Sequence, residues 1–371
     1  MRLPVLLLGA SLFAGPVSAQ APANSTTPLV ADAIDAIVQR HHETRGFEGA
    51  VLVVDAGEVV YEGAAGLADR SWDIAHTVET RFRVASITKL FTAVLTLQLA
   101  DEGLLSLEDP VSAHLPDFPK PAGDQIQLRH LLMHTSALPA YTQQSEDGWA
   151  PYRTPRTAEQ IVSAYATGDL GLRPGTRFNY NNLDFVVLGL VIEAAGGDQW
   201  EEALRTRILE PAGLTDTGVL RSTTIVDRLA QGYTILGDKA YQEPLYFAEA
   251  FGAAGALYST VRDLYQFDRA LHQGQLLSES AKTQLYTSDP NLGYVALGNW
   301  TYPHRYTDAA GVSQTVTASE RRGSIGGFNA TFLRHLETED TVIILSNTNA
   351  YDPDSWGDPT ALKAELAAVV Q

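Results

Sequence analysis

Ser86 and Lys89 are the two residues of this chain whose types and spacing point most directly to chemistry. They begin an apolar segment that runs to Gly103, which predicts a central helix ending at that glycine. Three positions apart, the two side chains lie on one helix face. Because burial and the positive helix end both disfavour a charged amine, we expect a lowered Lys89 pKa and therefore a base beside a nucleophile. The alternative is that Ser86 only caps the helix and Lys89 extends to water.

Tyr180 and Asn182 form a second group with chemical potential. They lie between the turn-forming stretch 173–176 and an apolar helical pattern over 183–194. A tyrosine hydroxyl can donate or accept a proton, and an asparagine amide can orient a lysine or a substrate. The alternative is that Asn182 is a helix N-cap and Tyr180 a packed aromatic residue.

Arg321, Gly323 and Ser324 form a third group, at the beginning of a predicted strand. Glycine there allows the backbone to approach a ligand closely, and arginine binds carboxylates. Ser324 is not in a nucleophile elbow, because Arg322 occupies a position where that motif needs glycine. The alternative is an ordinary hairpin edge with solvated arginines, or an Arg321 that is neutralised by Glu320 or another acidic residue and plays no part in binding.

No metal or cofactor is predicted. His130 and His134 have the spacing of metal ligands, but the segment between them lacks the glutamate of a zinc protease, and we interpret both as structural. The chain has no cysteine, which excludes disulfides, thiolate catalysis and cysteine–metal sites. A formal charge of −18 argues against nucleic acid and anionic lipid as partners. The expected partner is a small-molecule or peptide substrate, and the oligomeric state stays open.

Residues 1–19 have the pattern of an export signal, with Arg2, an apolar run over 3–14 and small residues before the cleavage site. The apolar run is too short for a stable membrane span, although an uncleaved anchor is the alternative. We therefore predict a periplasmic or secreted protein of a bacterial envelope. A polar lead over 20–27 would precede one domain over 28–371.

The fold class predicted from the remaining elements is α/β. A helix to about residue 45 and two strands, 49–55 and 58–62, come first. The middle reads as mostly helical, and strand patterns return at 313–319, 327–335 and 341–346 before a closing helix. Both chain ends (about 28–80 and 290–371) should form one antiparallel sheet flanked by helices, with an inserted helical lobe over about 81–289. A cleft is expected where the two portions meet, at the start of the Ser86 helix.

These motifs, in this order, resemble the serine β-lactamase and penicillin-binding-protein superfamily, in its branch of class C β-lactamases, D-alanyl-D-alanine carboxypeptidases and related esterases. Ser86 and Lys89 match its Ser-x-x-Lys motif, and Tyr180 with Asn182 matches Tyr-x-Asn. Residues 131–139 resemble Leu-Leu-x-His-Thr-Ser-Gly-Leu-Pro, with Ala137 where glycine is usual, and residues 255–264 resemble a later segment. The likeness covers about residues 30 to 350.

The resemblance implies an acyl-enzyme on Ser86, with Lys89 and Tyr180 moving its proton and Asn182 orienting Lys89 and the substrate. It also implies an oxyanion hole formed by the backbone N–H groups of Ser86 and Ser324. It leaves three substrate classes open, namely D-amino-acid peptides, β-lactams and small esters. A catalytically silent binding or sensing module on the same scaffold is the alternative.

One position departs from the family. Arg321 occupies the place of the lysine or histidine of the third motif, Lys-Thr-Gly or His-x-Gly. Arginine keeps the positive charge but cannot pass a proton at working pH. We expect its side chain to face the cleft and to bind a substrate carboxylate.

Overall fold

A computed structural model describes residues 27–140, 149–307, 312–355 and 357–370 of the chain. The predicted signal peptide 1–19 and nearly all of the polar lead 20–27 lie outside these residues. The strands are β1 Gly49–Asp55, β2 Glu58–Ala65, β3 Leu67–Asp69, β4 Ile74–Ala75, β5 Phe82–Arg83, β6 Gly218–Val219, β7 Tyr233–Leu236, β8 Lys239–Gln242, β9 Leu257–Ser259, β10 Trp300–Thr307, β11 Ser313–Ile325, β12 Phe328–His335 and β13 Thr341–Ser346.

The α-helices are distributed over the whole described chain. They are α1 Thr27–Arg45, α2 Thr88–Asp101, α3 Val111–His114, α4 Ala122–Gln125, α5 Leu128–Leu132, α6 Ala158–Tyr165, α7 Asn182–Gly196, α8 Trp200–Leu204, α9 Glu210–Ala212, α10 Val261–His272, α11 Glu279–Tyr286 and α12 Leu362–Val369. A π-helical turn, Arg205–Leu209, joins α8 to α9. No helix of the described ranges has the length and apolarity that a bilayer crossing requires.

A six-stranded antiparallel sheet, in the order β10-β11-β12-β13-β1-β2, joins the two ends of the chain. Side chains alternate between its faces, as the pleat requires. In β1, Val51 and Val53 pack with α1 and α12, whereas Leu52 packs on the opposite face with the larger core around α2 and α10. The predicted α/β class, with an antiparallel sheet flanked by helices, is confirmed.

Helix α2 lies in the centre of the larger core. Its apolar and threonine side chains are buried on all sides, and Phe91 stacks on Phe267 of α10 with ring centroids 4.0 Å apart. The helix ends before Gly103, whose φ of 71° is the left-handed conformation that favours glycine. A helix so completely enclosed gives the residues at its N-terminal end a fixed position.

Most predicted helices and strands lie close to the observed ones, but the strand predicted over 313–319 continues to Ile325. Arg321, Gly323 and Ser324 therefore lie in the last part of β11 and not at the beginning of a strand, as the sequence suggested. The sequence did not predict β10 at the sheet edge or three small sheets, β3-β4, β5-β9-β6 and β7-β8. The strands of these three small sheets have two to four residues, too short for an alternating pattern. The expected start of the Ser86 helix was also inexact, because a 3₁₀ turn over Ala85–Ile87 comes before α2.

Candidate active site

Ser86 lies in the 3₁₀ turn that leads into α2, and its neighbours hold this turn tightly. Ala85 has a φ of 47°, a strained value for a residue with a Cβ. Strand β11 runs against the same turn, so closely that a Cβ on Gly323 would collide with the carbonyl oxygen of Val84 and lie 3.2 Å from the amide nitrogen of Ser86. Only glycine therefore allows this approach.

Lys89 is completely buried directly behind Ser86. Its Nζ donates to Ser86 Oγ at 3.1 Å, to Asn182 Oδ1 at 2.7 Å and to the carbonyl oxygen of Ala254 at 2.7 Å. All three acceptors are uncharged, and burial lowers the pKa of Lys89 to about 8. The alternative in which this lysine extends to water is wrong.

Tyr180 reaches Ser86 from the opposite side. Its Oη shares a hydrogen bond of 2.6 Å with Ser86 Oγ and accepts one of 3.1 Å from Arg321 Nη2. Burial raises the pKa of Tyr180, but the nearby charges of Lys89 and Arg321 outweigh burial and bring this pKa down to about 8. The residue as a whole stays 37% exposed and borders the cleft at Ser86.

Asn182 is aimed at Lys89 because its neighbour caps the helix. Asn181 is the N-cap of α7, and its Oδ1 accepts the backbone N–H of Leu183 at 3.0 Å. The alternative that made Asn182 the cap is therefore wrong by one residue. Asn182 Nδ2 donates to Tyr152 Oη at 3.0 Å, which orients the amide so that its oxygen faces Lys89. Tyr152 was not predicted to belong to the site, since nothing in its local sequence distinguishes it from a packed aromatic residue.

Arg321 faces the cleft at Ser86, as expected, but it is only 2% exposed and lies beneath the site rather than at its edge. Its Nε donates to the backbone oxygen of Ser86 at 2.7 Å, and its guanidinium lies between the rings of Tyr180 and Trp300, 5.6 Å and 5.2 Å from their centroids. Glu320, the suggested counter-charge, instead pairs with Lys363 at 2.9 Å.

A cavity of about 280 Å³ opens at Ser86. Strand β11 contributes Gly323 and the exposed Ser324, and the remaining walls include Phe178, Trp300 and Pro353. At the rim, Arg322 is paired with Asp354 and lies 4.9 Å from the Trp300 ring centroid. Trp300 was not predicted to line the site, because it belongs to strand β10, which the sequence pattern did not indicate.

The structure therefore brings together all seven residues that the sequence singled out for the site. Ser86, Lys89, Tyr180, Asn182 and Arg321 are linked by hydrogen bonds, and Gly323 and Ser324 form part of the wall. His130 and His134 are not among them, and within the described ranges no group of three or more histidine, aspartate or glutamate side chains could hold a metal ion.

Known proteins resemble the chain in sequence and in fold. The chain matches the sequence model of the Beta-lactamase family over residues 34–366. It is 28% identical over 343 residues to penicillin-binding protein 4* of Bacillus subtilis, covering 87% of this chain and 72% of that protein. The structure of the D-amino acid amidase of Ochrobactrum anthropi is similar at a TM-score of 0.74 and 25% identity, covering 92% of this chain and 97% of the amidase.

A third relative is another hydrolase. The D-stereospecific amidohydrolase of a Streptomyces species has a TM-score of 0.70 and 28% identity, covering 85% of this chain and 94% of the other. Family, fold and hydrolase neighbours thus agree with one another. The chain belongs to the β-lactamase family and is a serine hydrolase of that family.

Proposed function

We propose that the protein cleaves esters or amides through an acyl-enzyme on Ser86. The observation that carries this proposal is the triangle in which Lys89 Nζ and Tyr180 Oη both lie within hydrogen-bond distance of Ser86 Oγ. The serine oxygen attacks the carbonyl carbon while its proton passes to the Lys89–Tyr180 pair. The pair then protonates the leaving oxygen or nitrogen, and water releases the acyl group in a second step of the same kind.

The oxyanion of the tetrahedral intermediate would bind the backbone N–H groups of Ser86 and Ser324, as the family resemblance implies. The proximity of β11 to the Ser86 turn supports this assignment, since Gly323 allows the two backbones to approach each other. Each such donor contributes on the order of 3 kcal/mol to the transition state. Asn182 retains one amide N–H beyond the one that it gives Tyr152, and we propose that this N–H positions the substrate.

The substrate we propose is a neutral ester or amide with an apolar or aromatic acyl group. Phe178 and Trp300 supply an apolar wall. Two donor groups of Arg321 are already bound to Ser86 and Tyr180, and Arg322 is paired with Asp354. The geometry therefore favours a role of Arg321 toward Tyr180 over the substrate-carboxylate role expected from the sequence. The D-amino acid amidase, whose structure contains phenylalanine amide, is a relative with an aromatic ligand.

Covalent labelling tests the proposal. Intact-mass measurement after incubation with a fluorophosphonate should show one adduct that maps to Ser86 and is absent from Ser86→Ala. A p-nitrophenyl ester and a fluorescent penicillin, tested side by side, distinguish the substrate classes, and we expect faster acylation by the ester. A folded wild-type protein that reacts with none of the three probes would support the silent binding module instead.

We further propose that the protein is exported and acts in the periplasm or outside the cell, on the basis of the signal pattern in residues 1–19. Expression of the full chain in a bacterial host followed by N-terminal sequencing should give a mature chain that begins at Gln20. A cytoplasmic protein that still carries residues 1–19 would contradict the proposal.

A further inference from the structure

A buried polar cluster lies directly behind Tyr180 and does not touch the cavity. It consists of His134, Ser136, Asn181 and Asp184, each no more than 2% exposed. His134 and Ser136 come from the segment 131–139 noted in the sequence, to which the mechanism above assigns no role. Asp184 lies in the first turn of α7, two residues after Asn182.

The hydrogen bonds of the cluster indicate which atom carries the proton between Asp184 and His134. The backbone N–H of Asn181 points at His134 Nδ1 at 3.2 Å, which favours the tautomer with a lone pair on Nδ1 and the ring proton on Nε2, a buried atom without a hydrogen-bond partner among the described residues. Asp184 Oδ2 lies 3.2 Å from the same nitrogen, and Asp184 Oδ1 accepts the hydroxyl of Ser136 at 2.5 Å. A carboxylate oxygen facing a ring lone pair would be repulsive, whereas a protonated oxygen can donate to it.

From this geometry we infer that Asp184 is a neutral carboxylic acid that donates to a neutral His134, and that the two are positioning residues for Tyr180 and Asn182. The positioning role rests on the proposed function, because it concerns the groups assigned there to proton transfer. The protonation state of Asp184 does not depend on that function.

The electrostatic setting supports a neutral pair. Burial raises the pKa of Asp184 well above its usual value and lowers that of His134 well below. The charged groups nearby are Lys89 of α2 and Arg321 of β11, which lower the pKa of His134 further. An ionised Asp184 would raise the pKa of Lys89 and disfavour a phenolate at Tyr180. A neutral pair therefore leaves the pKa of Lys89 low, so that part of this amine is unprotonated near neutral pH, as the proposed mechanism requires.

Contacts with the catalytic segment give the pair its positioning role. The His134 ring lies 4.4 Å from the Tyr180 ring, centroid to centroid, and 5.1 Å from that of Phe185. The backbone oxygen of His134 also accepts the N–H of Asn179 at 2.8 Å. His134 has a φ of 55°, so the segment adopts a strained conformation to make these contacts.

The isosteric variant Asp184→Asn tests the inference, because an amide N–H₂ donates to His134 as the acid does. We expect kcat/KM within about threefold of wild type, and an alkaline-rising pH profile at its wild-type position. Infrared difference spectra, wild type minus variant at neutral pH, should show the C=O band of a protonated carboxylic acid. A carboxylate band, or a profile displaced to lower pH in Asp184→Asn, would overturn the inference, because both require an ionised Asp184.

The positioning role is tested by His134→Phe, which removes the acceptor for Asn181 and Asp184. We expect kcat to fall about ten- to a hundredfold with little change in KM, while Asp184→Asn stays active. Unchanged kcat in a folded His134→Phe would overturn this part.

If His134→Phe does not fold, ¹⁵N NMR of wild type decides the tautomer. An unprotonated Nδ1 is expected, and a protonated Nδ1 would contradict the inference. Labelling at Ser86 tests the proposed function separately, since infrared and NMR spectra report the protonation state even if Ser86 does not react.

Discussion

Two lysines are buried in the described part of the chain, on opposite faces of the same sheet, and their partners differ. Lys363 of α12, 7% exposed, donates to the carboxylate of Glu320 at 2.9 Å and to the carbonyl oxygen of Pro353 at 2.7 Å. Lys89 of α2 has only neutral acceptors within hydrogen-bond distance, and its pKa falls to about 8. A buried amine with a carboxylate partner joins two elements, whereas one without a carboxylate is a candidate base.

The contrast extends to consecutive residues of one strand. Glu320 and Arg321 point to opposite faces of β11, as the pleat requires. Glu320 neutralises Lys363 and accepts from Tyr302 Oη at 3.0 Å, whereas Arg321 adds a positive charge beside Tyr180 and Lys89. The charges on the Glu320 face of β11 are therefore balanced, whereas the Arg321 face has an excess of positive charge around Ser86.

Replacing each of the two lysines should give the largest effects, on kcat for Lys89 and on stability for Lys363. Lys89→Met should lower kcat about 10³- to 10⁴-fold, because the base is lost, and should cost less stability than the loss of Lys363, since the acceptors that it leaves unpaired are uncharged. Lys363→Met should leave kcat near wild type but cost about 3–5 kcal/mol of unfolding free energy, since Glu320 is left buried without its partner. Steady-state kinetics and urea unfolding measure the two quantities. Similar kinetic losses in both variants would remove the functional distinction between the two amines.

Two tyrosines give the next comparison. Tyr180→Phe should reduce kcat about 10²- to 10³-fold, because the hydroxyl that bonds Ser86 is lost. Tyr302→Phe, which removes the hydroxyl bound to Glu320 on the other face, is the matched control and should keep wild-type kinetics. Both variants are assayed with the same p-nitrophenyl ester. A Tyr180→Phe enzyme with near-normal turnover would leave Lys89 as the only base.

Arg321→Met tests how the positive charge of Arg321 affects the pKa values of Tyr180 and Lys89. The guanidinium lowers the pKa of both Tyr180 and Lys89, so its removal should raise both. The wild-type kcat/KM should rise with pH through an apparent pKa near 8 that belongs to the coupled pair. In Arg321→Met this rise should move to higher pH, and kcat/KM at pH 7 should fall about tenfold per unit of displacement. A loss without displacement would assign Arg321 to substrate binding.

The smallest effect concerns Ala137, whose φ of 63° is the left-handed conformation that favours glycine. A side chain with a Cβ is strained in this conformation, so Ala137→Gly should stabilise the fold by ~1 kcal/mol without changing kcat. Thermal unfolding measures the gain. An unchanged or lower melting temperature would mean that contacts of the Ala137 methyl group offset the strain.

Much of the site was predictable because its residues follow local rules. The Ser86–Lys89 spacing fixes their common face, and the apolar run to Gly103 implies burial of Lys89. The long helices and the strand 341–346 were found from periodicity and from glycine and proline positions. Family resemblance added the joint role of motifs that are distant in sequence.

The remainder depends on contacts that sequence patterns do not encode. Strand β10 contains Pro303 and lies at the sheet edge, where proline is tolerated, so its pattern did not indicate a strand. The position of Trp300 in the cavity wall and the pairing of Arg322 with Asp354 at the rim were not predicted either. The burial of Arg321 between two rings likewise follows from how β11 packs on the Ser86 turn, which is a tertiary property.

The most direct test of the account is the rate at which a fluorophosphonate labels Ser86, measured across pH in wild type, Lys89→Met and Lys363→Met. This rate reports activation of the serine without substrate binding or deacylation. We expect this rate to rise through an apparent pKa near 8 in wild type and in Lys363→Met, and to be nearly abolished in Lys89→Met. A rate independent of pH, or one retained in Lys89→Met, would contradict the assignment of Lys89 as the base that activates Ser86.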